Sequence, residues 1–310
     1  MAAPQIANRL EVLLSASMAP SSLTVYKRAW ALFQRCMSSF RLPNYNYSSL
    51  PVAPAHLATF ISYLSCNGFA SSTIISYTSA IGYAHRLSGT RDPTSSYLIQ
   101  KLLAGATRLS PSMDTRLPIT GIVLNMLINS LQTAISNQYD AVMLRAMFSV
   151  SYFGLMRVGE VTSTTYSRAS VFLQDLTLTP SYATIAIRKF KHNTGNRPFD
   201  IVLPAQSSAI CPVAALQDYL QFRGYASGPL FIFPDGSPVP RNFFVSRLRQ
   251  CLIFAGLDPT LYKSHSFRIG GASHYAELGY SDSQIRLLGR WKSDAFKRYI
   301  RSQRIHPPSF

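Results

Sequence analysis

The chain has 310 residues, of which 47% are hydrophobic and 14% charged, with 30 Lys and Arg against 13 Asp and Glu for a formal net charge of +17. This composition excludes a disordered tail and favours a polyanionic partner. No stretch approaches the ~18 apolar residues of a membrane span, and we expect no signal peptide. The four cysteines form no CxxC pair. We therefore expect about two domains in a reducing compartment, without a zinc ribbon or a disulfide scaffold.

The positive charge lies mainly at the two ends of the chain. Residues 1–110 carry a net +7, residues 111–240 a net +2, and residues 241–310 a net +8. This distribution favours two basic surfaces that close on one nucleic acid, with the near-neutral middle forming core. The alternative is that the charge only keeps the protein in solution.

Residues 1–110 are predicted to form a small helical bundle. Apolar residues recur at steps of three and four over 21–40, where Ser21 or Ser22 can act as a cap. Further helices are predicted over 55–66, over 73–87 with Ser71 or Ser72 as the cap and Gly89 at the end, and over 95–109. Residues 111–119 are polar, contain prolines and are predicted to form a linker.

Residues 120–310 are predicted to form a second, mostly helical domain with a small antiparallel sheet, which makes the fold mainly α (α+β). Thr120 caps a helix to about residue 131, and another helix covers 139–153 and ends at Gly154. Short strands are predicted near 170–173 and over 182–191 and 199–203, the last two as a hairpin. Pro212 opens the next helix, and the others are predicted at 240–255, 266–278, 281–290 and 293–302.

Four motifs in this second domain carry the candidate chemistry. They are GLMRVGE with Arg157 and Glu160, IRKFKHNTGNRPFDIVL with Lys189 and Lys191, KSHSFRIGGAS with His265 and Arg268, and LLGRWKSDAFKRYIR with Arg290, Trp291 and Tyr299. Each motif alone is weak evidence. An arginine at a helix end is more often a surface ion pair, and a lone Tyr or Trp more often packs in a core.

Together, these residue types suit a phosphodiester. Two guanidinium groups can hold the non-bridging oxygens of one phosphate and neutralise a pentavalent transition state. A tyrosine phenol can attack phosphorus and hold the strand covalently. A lysine can protonate the leaving 5′ oxygen, and a histidine can move the phenol proton. The sequence has no carboxylate cluster that suggests a metal site, so we expect the arginines to take the place of a divalent ion.

In their order, the motifs resemble those of the tyrosine recombinases, the integrase-type enzymes that break and rejoin DNA. The family pattern is Arg, Lys, His-x-x-Arg, then His or Trp, then Tyr, and the resemblance covers about 120–305 directly. The N-terminal bundle is similar to the SAM-like core-binding domain of that family. FKHNTG, SFRIGGAS and GRWKSDAFKRYIR look most like the recombinases of eukaryotic DIRS-type and Crypton mobile elements.

The resemblance implies a role for each motif residue. Arg157 and Arg268 clamp the scissile phosphate, and Glu160 supports Arg157. Lys191 protonates the leaving group, with Lys189 as its rival. His265 is the acid–base partner and Tyr299 the nucleophile. No cofactor and no metal are implied. The resemblance further implies duplex DNA as the partner and self-association on DNA as a dimer or tetramer, with no membrane and no small-molecule substrate.

Two features depart from the family pattern. Many members place His or Trp nine residues before the Tyr, but here that position is Arg290 and Trp291 stands at eight. We assign the role to Trp291 and keep Arg290 as the alternative, because an indole N–H can bond the phosphate while the ring packs against the Tyr helix. Only 11 residues follow Tyr299. A helix exchanged between protomers beyond the Tyr is therefore not expected, and assembly would use other surfaces or be lost.

The sequence thus predicts strand exchange through a 3′-phosphotyrosine, for integration or excision of a mobile element. The location is the nucleus if the source is eukaryotic, and otherwise the cytoplasm. A type IB topoisomerase shares the catalytic set, but it is disfavoured because the N-terminal bundle is short. A domesticated, non-catalytic DNA-binding protein is the third alternative. It is disfavoured because proteins of that kind lose the Tyr or an Arg, and here every motif position is filled.

Overall fold

The computed structural model describes residues 3–40, 50–110, 114–169, 171–188, 190 and 197–300. The chain divides into two compact units, Met1–Asp114 and Thr115–Phe310. Within these described ranges, no helix combines the length and the apolar character that crossing a membrane requires.

The first unit is helical. Its helices are α1 (Ala3–Ala16), α2 (Pro20–Ser39), α3 (Pro54–Cys66), α4 (Ser71–Leu87) and α5 (Tyr97–Leu109). The last four enclose a core that includes Phe33, Phe60, Leu64, Ile81 and Ile99, all at most 1% exposed. The four predicted helices are therefore present, and α1 is an additional helix whose apolar side chains remain largely exposed.

The predicted serine caps of this unit are wrong. Helix α2 begins at Pro20, one residue before Ser21, because a proline in the first turn is already set to helical φ. Helix α4 begins at Ser71 itself, and the hydroxyl of Ser71 donates to the carbonyl of Ser110 at 3.1 Å instead of capping the helix.

The second half of the predicted linker packs within the second unit. The N–H of Leu117 donates to Leu261 O at 2.8 Å, and the N–H of Ile119 donates to Ser266 O at 3.0 Å. Ile119 is fully buried in the core of the second unit. This segment therefore lies along the start of the helix that begins at Ser266. Residues 111–113 lie outside the described residues.

The second unit is mostly helical with one small sheet. Its helices are α6 (Gly121–Ala134), α7 (Gln138–Phe153), α8 (Val158–Val161), α9 (Pro212–Arg223), α10 (Arg241–Phe254), α11 (Ser266–Glu277) and α12 (Asp282–Leu288). The Thr120 cap of α6, the end of α7 at Gly154 and the Pro212 start of α9 are confirmed. In the core, the Phe148 ring of α7 lies 5.4 Å from that of Phe244 and 5.2 Å from that of Phe267.

The sheet has the order β1-β2-β3, with strands β1 (Leu176–Leu178), β2 (Tyr182–Ile187) and β3 (Phe199–Pro204). Both pairings are antiparallel, and Ile185 of β2 is opposite Ile201 of β3, which confirms the predicted hairpin. Ala183, Ile185 and Ile187 are fully buried, as the period-two pattern requires. Strand β2 ends at Ile187, short of the predicted residue 191.

The strand predicted near 170–173 is wrong. Phe172 makes one isolated bridge with Pro229, and Leu173–Asp175 form a 3₁₀ turn. The turn forms because the Asp175 carboxylate accepts the N–H of Phe172 at 3.2 Å, a local bond that competes with strand pairing. Residue 170 lies outside the described residues.

The helix predicted over 293–302 is also wrong. Asp294–Arg298 form a 3₁₀ helix, and Tyr299 follows in a turn with its N–H donating to Phe296 O at 2.8 Å. Phe296, only 1% exposed, anchors this short piece in a small core with Leu155 and Tyr275. Residues 301–310 lie outside the described residues.

Candidate active site

Three pieces of the second unit meet at one place: the turn between α7 and α8, the first turn of α11, and residues 289–299. They bring together Arg157, Glu160, His265, Arg268, Arg290, Trp291 and Tyr299, which are seven of the nine residues that the sequence singled out. The other two, Lys189 and Lys191, lie outside the described residues.

Tyr299 and His265 are in direct contact. Nε2 of His265 lies 2.9 Å from Oη of Tyr299, which is hydrogen-bond distance, and the rings are 5.5 Å apart. Both side chains are half-buried. The hydroxyl of Ser273 has two carbonyl oxygens within hydrogen-bond distance, Ile269 O at 2.9 Å and Tyr299 O at 3.2 Å, so α11 also contacts the backbone of the tyrosine. Sequence reasoning missed Ser273, although it lies in the SFRIGGAS motif.

Arg268 is buried beneath this pair, with 1% of the residue exposed. Its Nη1 donates to Leu155 O, and its Nη2 donates to Gly289 O at 2.8 Å. The Trp291 ring covers the guanidinium at 4.4 Å, and that ring also lies 5.2 Å from the Tyr299 ring. Among the described residues, Nε of Arg268 is buried and has no hydrogen-bond partner.

Burial is the main reason why the pKa of Arg268 falls, and the nearby charges of Arg157 and Arg290 lower it further, to about 9. Arg268 therefore remains a cation at neutral pH. The repulsion among these arginines is the electrostatic reason why an anion is favoured at this place.

Glu160 joins two arginines. Its Oε1 accepts from Nη1 of Arg157 at 2.9 Å, and its Oε2 accepts from Nη2 of Arg290 at 2.8 Å and from the Arg157 N–H at 2.8 Å. Burial alone would raise the pKa of Glu160, but Arg290 and Arg157 lower it below its ordinary value. The carboxylate therefore stays ionised and holds the backbone and the side chain of Arg157 at the N-terminus of α8.

Two glycines allow these pieces to approach closely. A Cβ on Gly270 would lie 1.7 Å from Ile119 O, and a Cβ on Gly271 would lie 2.3 Å from Tyr152 O. The GG of SFRIGGAS therefore lets α11 pack directly on the backbone of both neighbouring segments. This contact places His265 and Arg268 beside the α7–α8 turn.

A basic cleft of about 430 Å³ opens beside His265. Its cations are Arg116, Arg241, Arg249 and Lys263. Lys263 and His265 belong to the KSHSFRIGGAS motif, whereas Arg116, Arg241 and Arg249 lie outside the four motifs and were not singled out from the sequence.

Taken together, the cluster has three arginines and one glutamate, so positive charge is in excess. No group of three or more His, Cys, Asp or Glu side chains that could hold a metal ion occurs in the part of the chain that the structure describes. The arrangement suits a phosphodiester, because guanidinium groups can bind its anionic oxygens and a tyrosine hydroxyl is paired with an imidazole.

Solved structures share this arrangement of elements. XerH site-specific recombinase bound to palindromic difH in a post-cleavage complex is similar with a TM-score of 0.66 and 16% identity, over 91% of this chain and 76% of that one. The Tn1549 transposon integrase bound to transposon right-end DNA gives a TM-score of 0.65 and 13% identity, over 96% and 94%. The fold is that of the tyrosine recombinases.

Sequence relatives point to the same family. The chain is 23% identical over 288 residues to tyrosine recombinase XerD of Rickettsia prowazekii, covering 88% of this chain and 84% of that protein. It is 25% identical over 305 residues to an integrase/recombinase XerD homolog of Selenomonas ruminantium, covering 94% and 84%. A scan against models of known protein families matches none. The chain therefore resembles tyrosine recombinases in sequence as well as in fold.

Proposed function

We propose that this chain is a DNA breaking–rejoining enzyme that cuts one strand by forming a 3′-phosphotyrosine at Tyr299. The observation that carries the proposal is the 2.9 Å contact between Tyr299 Oη and His265 Nε2, beside the buried guanidinium of Arg268. A packing tyrosine has no need of an imidazole at its hydroxyl and a buried guanidinium close by. A nucleophilic one needs both a base and a site for the phosphate.

In the proposed reaction, Tyr299 Oη attacks phosphorus and its proton passes to His265. This requires the tautomer with hydrogen on Nδ1, so that Nε2 is the acceptor. The bond from phosphorus to the 5′ oxygen breaks, and that oxygen takes a proton from Lys191. Arg157 and Arg268 neutralise the charge that builds on the non-bridging oxygens. Attack of a 5′ hydroxyl on the phosphotyrosine reverses every step and rejoins a strand.

The surrounding charge supports duplex DNA as the substrate. The cleft formed by Arg116, Arg241, Arg249 and Lys263 opens at His265, so a backbone that enters the site can continue along these cations. We propose that residues 1–110 form the core-binding domain and 120–310 the catalytic domain, joined by 111–119, of which Leu117 and Ile119 are bonded to the catalytic domain. Protomers associate on the DNA as a dimer or tetramer.

The proposed mobile-element role rests on three motif sequences, FKHNTG, SFRIGGAS and GRWKSDAFKRYIR. They resemble the motifs of the DIRS-type and Crypton recombinases. The compartment follows from that role. It is the nucleus for a eukaryotic element and the cytoplasm for a bacterial one.

The nucleophile is tested with nicked duplexes that carry a randomised core, because a nick traps the covalent complex when the cut fragment diffuses away. We expect an adduct that survives denaturation and maps to Tyr299. Y299F should bind DNA as the wild type does and form no adduct, whereas Y280F, at an exposed tyrosine on a loop, should form it normally. DNA binding without any wild-type adduct would favour the non-catalytic alternative. Relaxation of plasmids without a preferred site would favour the topoisomerase.

The general acid is tested with a substrate whose bridging 5′ oxygen is replaced by sulfur, because a thiolate leaves without a proton. K191A should cut normal DNA about 10²–10⁴-fold more slowly than the wild type. Its rate should recover on the sulfur substrate. K189A should bind both substrates more weakly and show no such recovery. Rescue of K189A and not of K191A would reverse the two assignments.

A further inference from the structure

Arg290 stands nine residues before Tyr299 and turns inward. Only 1% of its side chain is exposed, and both of its terminal nitrogens donate hydrogen bonds to protein oxygens. Nη1 donates to Gly154 O at 3.3 Å and to Leu288 O at 3.1 Å, whereas Nη2 donates to Leu155 O at 3.1 Å and to Glu160 Oε2 at 2.8 Å. Arg290 is thus paired with a buried carboxylate, whereas the two Nη atoms of Arg268 donate to carbonyls, so the charge of Arg290 is already compensated within the protein.

The backbone on both sides of this contact is unusual. Leu155 has a φ of +45° and Arg290 a φ of +57°, and they are the two non-glycine residues with positive φ in the ranges that the structure describes. Side chains at positive φ are strained, and such residues persist only where the surroundings hold them. Here the two strained residues hold each other, because Arg290 Nη2 donates to Leu155 O.

Through two acceptor groups, Arg290 reaches both arginines of the proposed phosphate clamp. The Leu155 carbonyl that accepts from Arg290 also accepts from Arg268. The Glu160 carboxylate that accepts from Arg290 also accepts from Arg157. Loss of the Arg290 guanidinium would therefore loosen two acceptors at the same time: the Glu160 carboxylate, which binds Arg157, and the Leu155 carbonyl, which binds Arg268.

We infer that Arg290 is a positioning residue: its buried guanidinium fixes Glu160 and the Leu155 carbonyl, and thereby holds Arg157 and Arg268 in the orientation that grips the scissile phosphate. The inference rests on the proposed function and deepens it. It also removes Arg290 from the phosphate-bonding role that its spacing suggested and leaves that role to Trp291.

A guanidinium suits this task better than an ammonium group. Its planar fork can serve the carboxylate and several carbonyls in fixed directions, while a lysine offers one compact charge. The fork and the charge can therefore be separated by substitution: R290K keeps the charge without the fork, and R290M keeps neither.

The charge has its own measurable consequence. The charged groups that act on Glu160, among the described residues, are Arg290, Arg157 and Arg268. Burial pushes the pKa of Glu160 upward, and Arg290 is the largest influence that lowers it. In R290M the pKa of Glu160 should be higher than in the wild type, so the carboxyl takes up a proton at a higher pH and loosens its hold on Arg157. Cleavage by R290M should then begin to fall at a higher pH than cleavage by the wild type, which adds a limb on the acid side of its pH profile.

The experiment measures adduct formation at saturating nicked duplex from pH 5.5 to 8, together with the Kd for intact duplex. R290M should bind within about threefold of the wild type but cut up to about 10²-fold more slowly, because small misplacements of reacting groups have effects of that size. It should also show the added acid limb. R290K should cut slowly without that limb. E160Q combined with R290M should be slower than E160Q alone, but by less than the product of the two single defects, because Arg290 acts on Arg157 through Glu160 and on Arg268 through the Leu155 carbonyl.

Arg223 provides the matched control. It is a buried arginine at the end of α9 whose guanidinium donates to four backbone carbonyls, those of Gly224, Ala226, Pro229 and Leu230. R223M should lower the melting temperature and leave the rate per folded molecule and its pH profile unchanged. This control separates a positioning role from loss of a buried arginine in general.

Several outcomes would overturn the inference. An R290M rate and pH profile equal to the wild type would do so, and so would an R290M defect that lies in DNA affinity and not in rate. If R290M does not fold, R290K decides: a wild-type rate in R290K would show that the planar guanidinium of Arg290 is not required, and would refute the inference. Absence of a wild-type adduct refutes the proposed function itself, and with it this inference, and is distinct from a defect confined to R290M.

Discussion

Gly270→Ala tests how tightly α11 must lie against the segment that precedes α6. A Cβ at residue 270 would come 1.7 Å from Ile119 O and 2.5 Å from Ile119 C, distances that real contacts do not reach. The obstacle is backbone on both sides, so relief requires a shift of more than 1 Å in α11 or in Ile119. That shift strains the bond from Ile119 N–H to Ser266 O, now 3.0 Å long, and moves the turn that carries His265 and Arg268.

We expect Gly270→Ala to lower the free energy of unfolding by about 3 kcal/mol, the upper end for overpacking. In a unit of this size that corresponds to a fall of about 6–12 °C in Tm. Adduct formation per folded molecule should also fall by at least about tenfold, because Arg268 lies two positions before Gly270 and His265 immediately precedes the same helix. Circular dichroism melting and the nicked-duplex assay measure the two effects.

Gly159→Ala is the control for Gly270→Ala. It lies in α8 beside the site, and a Cβ there meets nothing within 4 Å. We expect no loss of stability and a gain of up to about 1 kcal/mol, since alanine is the better helix former. A Gly270→Ala protein that melts and cuts like the wild type would refute the claim that backbone contact at Ile119 positions α11.

Two further predictions concern the site and its cleft. The 2.9 Å contact within one chain between Tyr299 and His265 predicts cleavage in cis, so Y299F mixed with R268Q should form no adduct; recovery of activity in the mixture would mean that the tyrosine acts on the partner protomer's site. Arg241→Ala with Arg249→Ala should reduce the slope of log K against log [salt] by about 2, whereas Arg145→Gln, whose charge is paired with an aspartate, should leave the slope unchanged.

Sequence periodicity predicted the long elements well, because their apolar faces and end signals are local. Thr120, Pro212 and the hairpin of β2 and β3 are the examples that the structure confirms. The predictions of the short elements were wrong because these elements are determined by local contacts that the apolar pattern does not contain. The Asp175 carboxylate closes a turn on the N–H of Phe172, and a single deeply buried Phe296 holds a 3₁₀ helix where the sequence predicted an α-helix.

That the described motif residues lie close together could be predicted, because their types and order repeat the pattern of the family that they resemble. Their individual directions could not. Arg290 and Trp291 are adjacent, and a count of eight or nine residues does not say which of them faces the tyrosine. The positive φ of Arg290 decides it: the backbone reverses there, Arg290 turns toward Glu160, and the Trp291 ring lies on Tyr299. The only sequence signal for this arrangement is the charge of Arg290, which suits a buried partner such as Glu160.

Trp291 can then serve the reaction in two ways, and substitution separates them. Its ring covers the Arg268 guanidinium at 4.4 Å and lies 5.2 Å from the Tyr299 ring, so it packs both groups. Its indole N–H is also a donor that a phosphate oxygen can accept. W291F keeps an aromatic ring and loses the N–H, W291L loses the ring, and W291H restores an N–H on a smaller ring.

If donation to the phosphate matters, W291F should melt like the wild type and cut about 10–100-fold more slowly, because a hydrogen bond to a charged group contributes about 1.5–3 kcal/mol. W291H should recover part of that rate, and W291L should lose both rate and stability since Arg268 and Tyr299 lose a common neighbour. The measurement is adduct formation at saturating nicked duplex, alongside thermal melting. A W291F protein that cuts at the wild-type rate would show that the tryptophan acts only by packing, and the phosphate would then be held by the two arginines and His265.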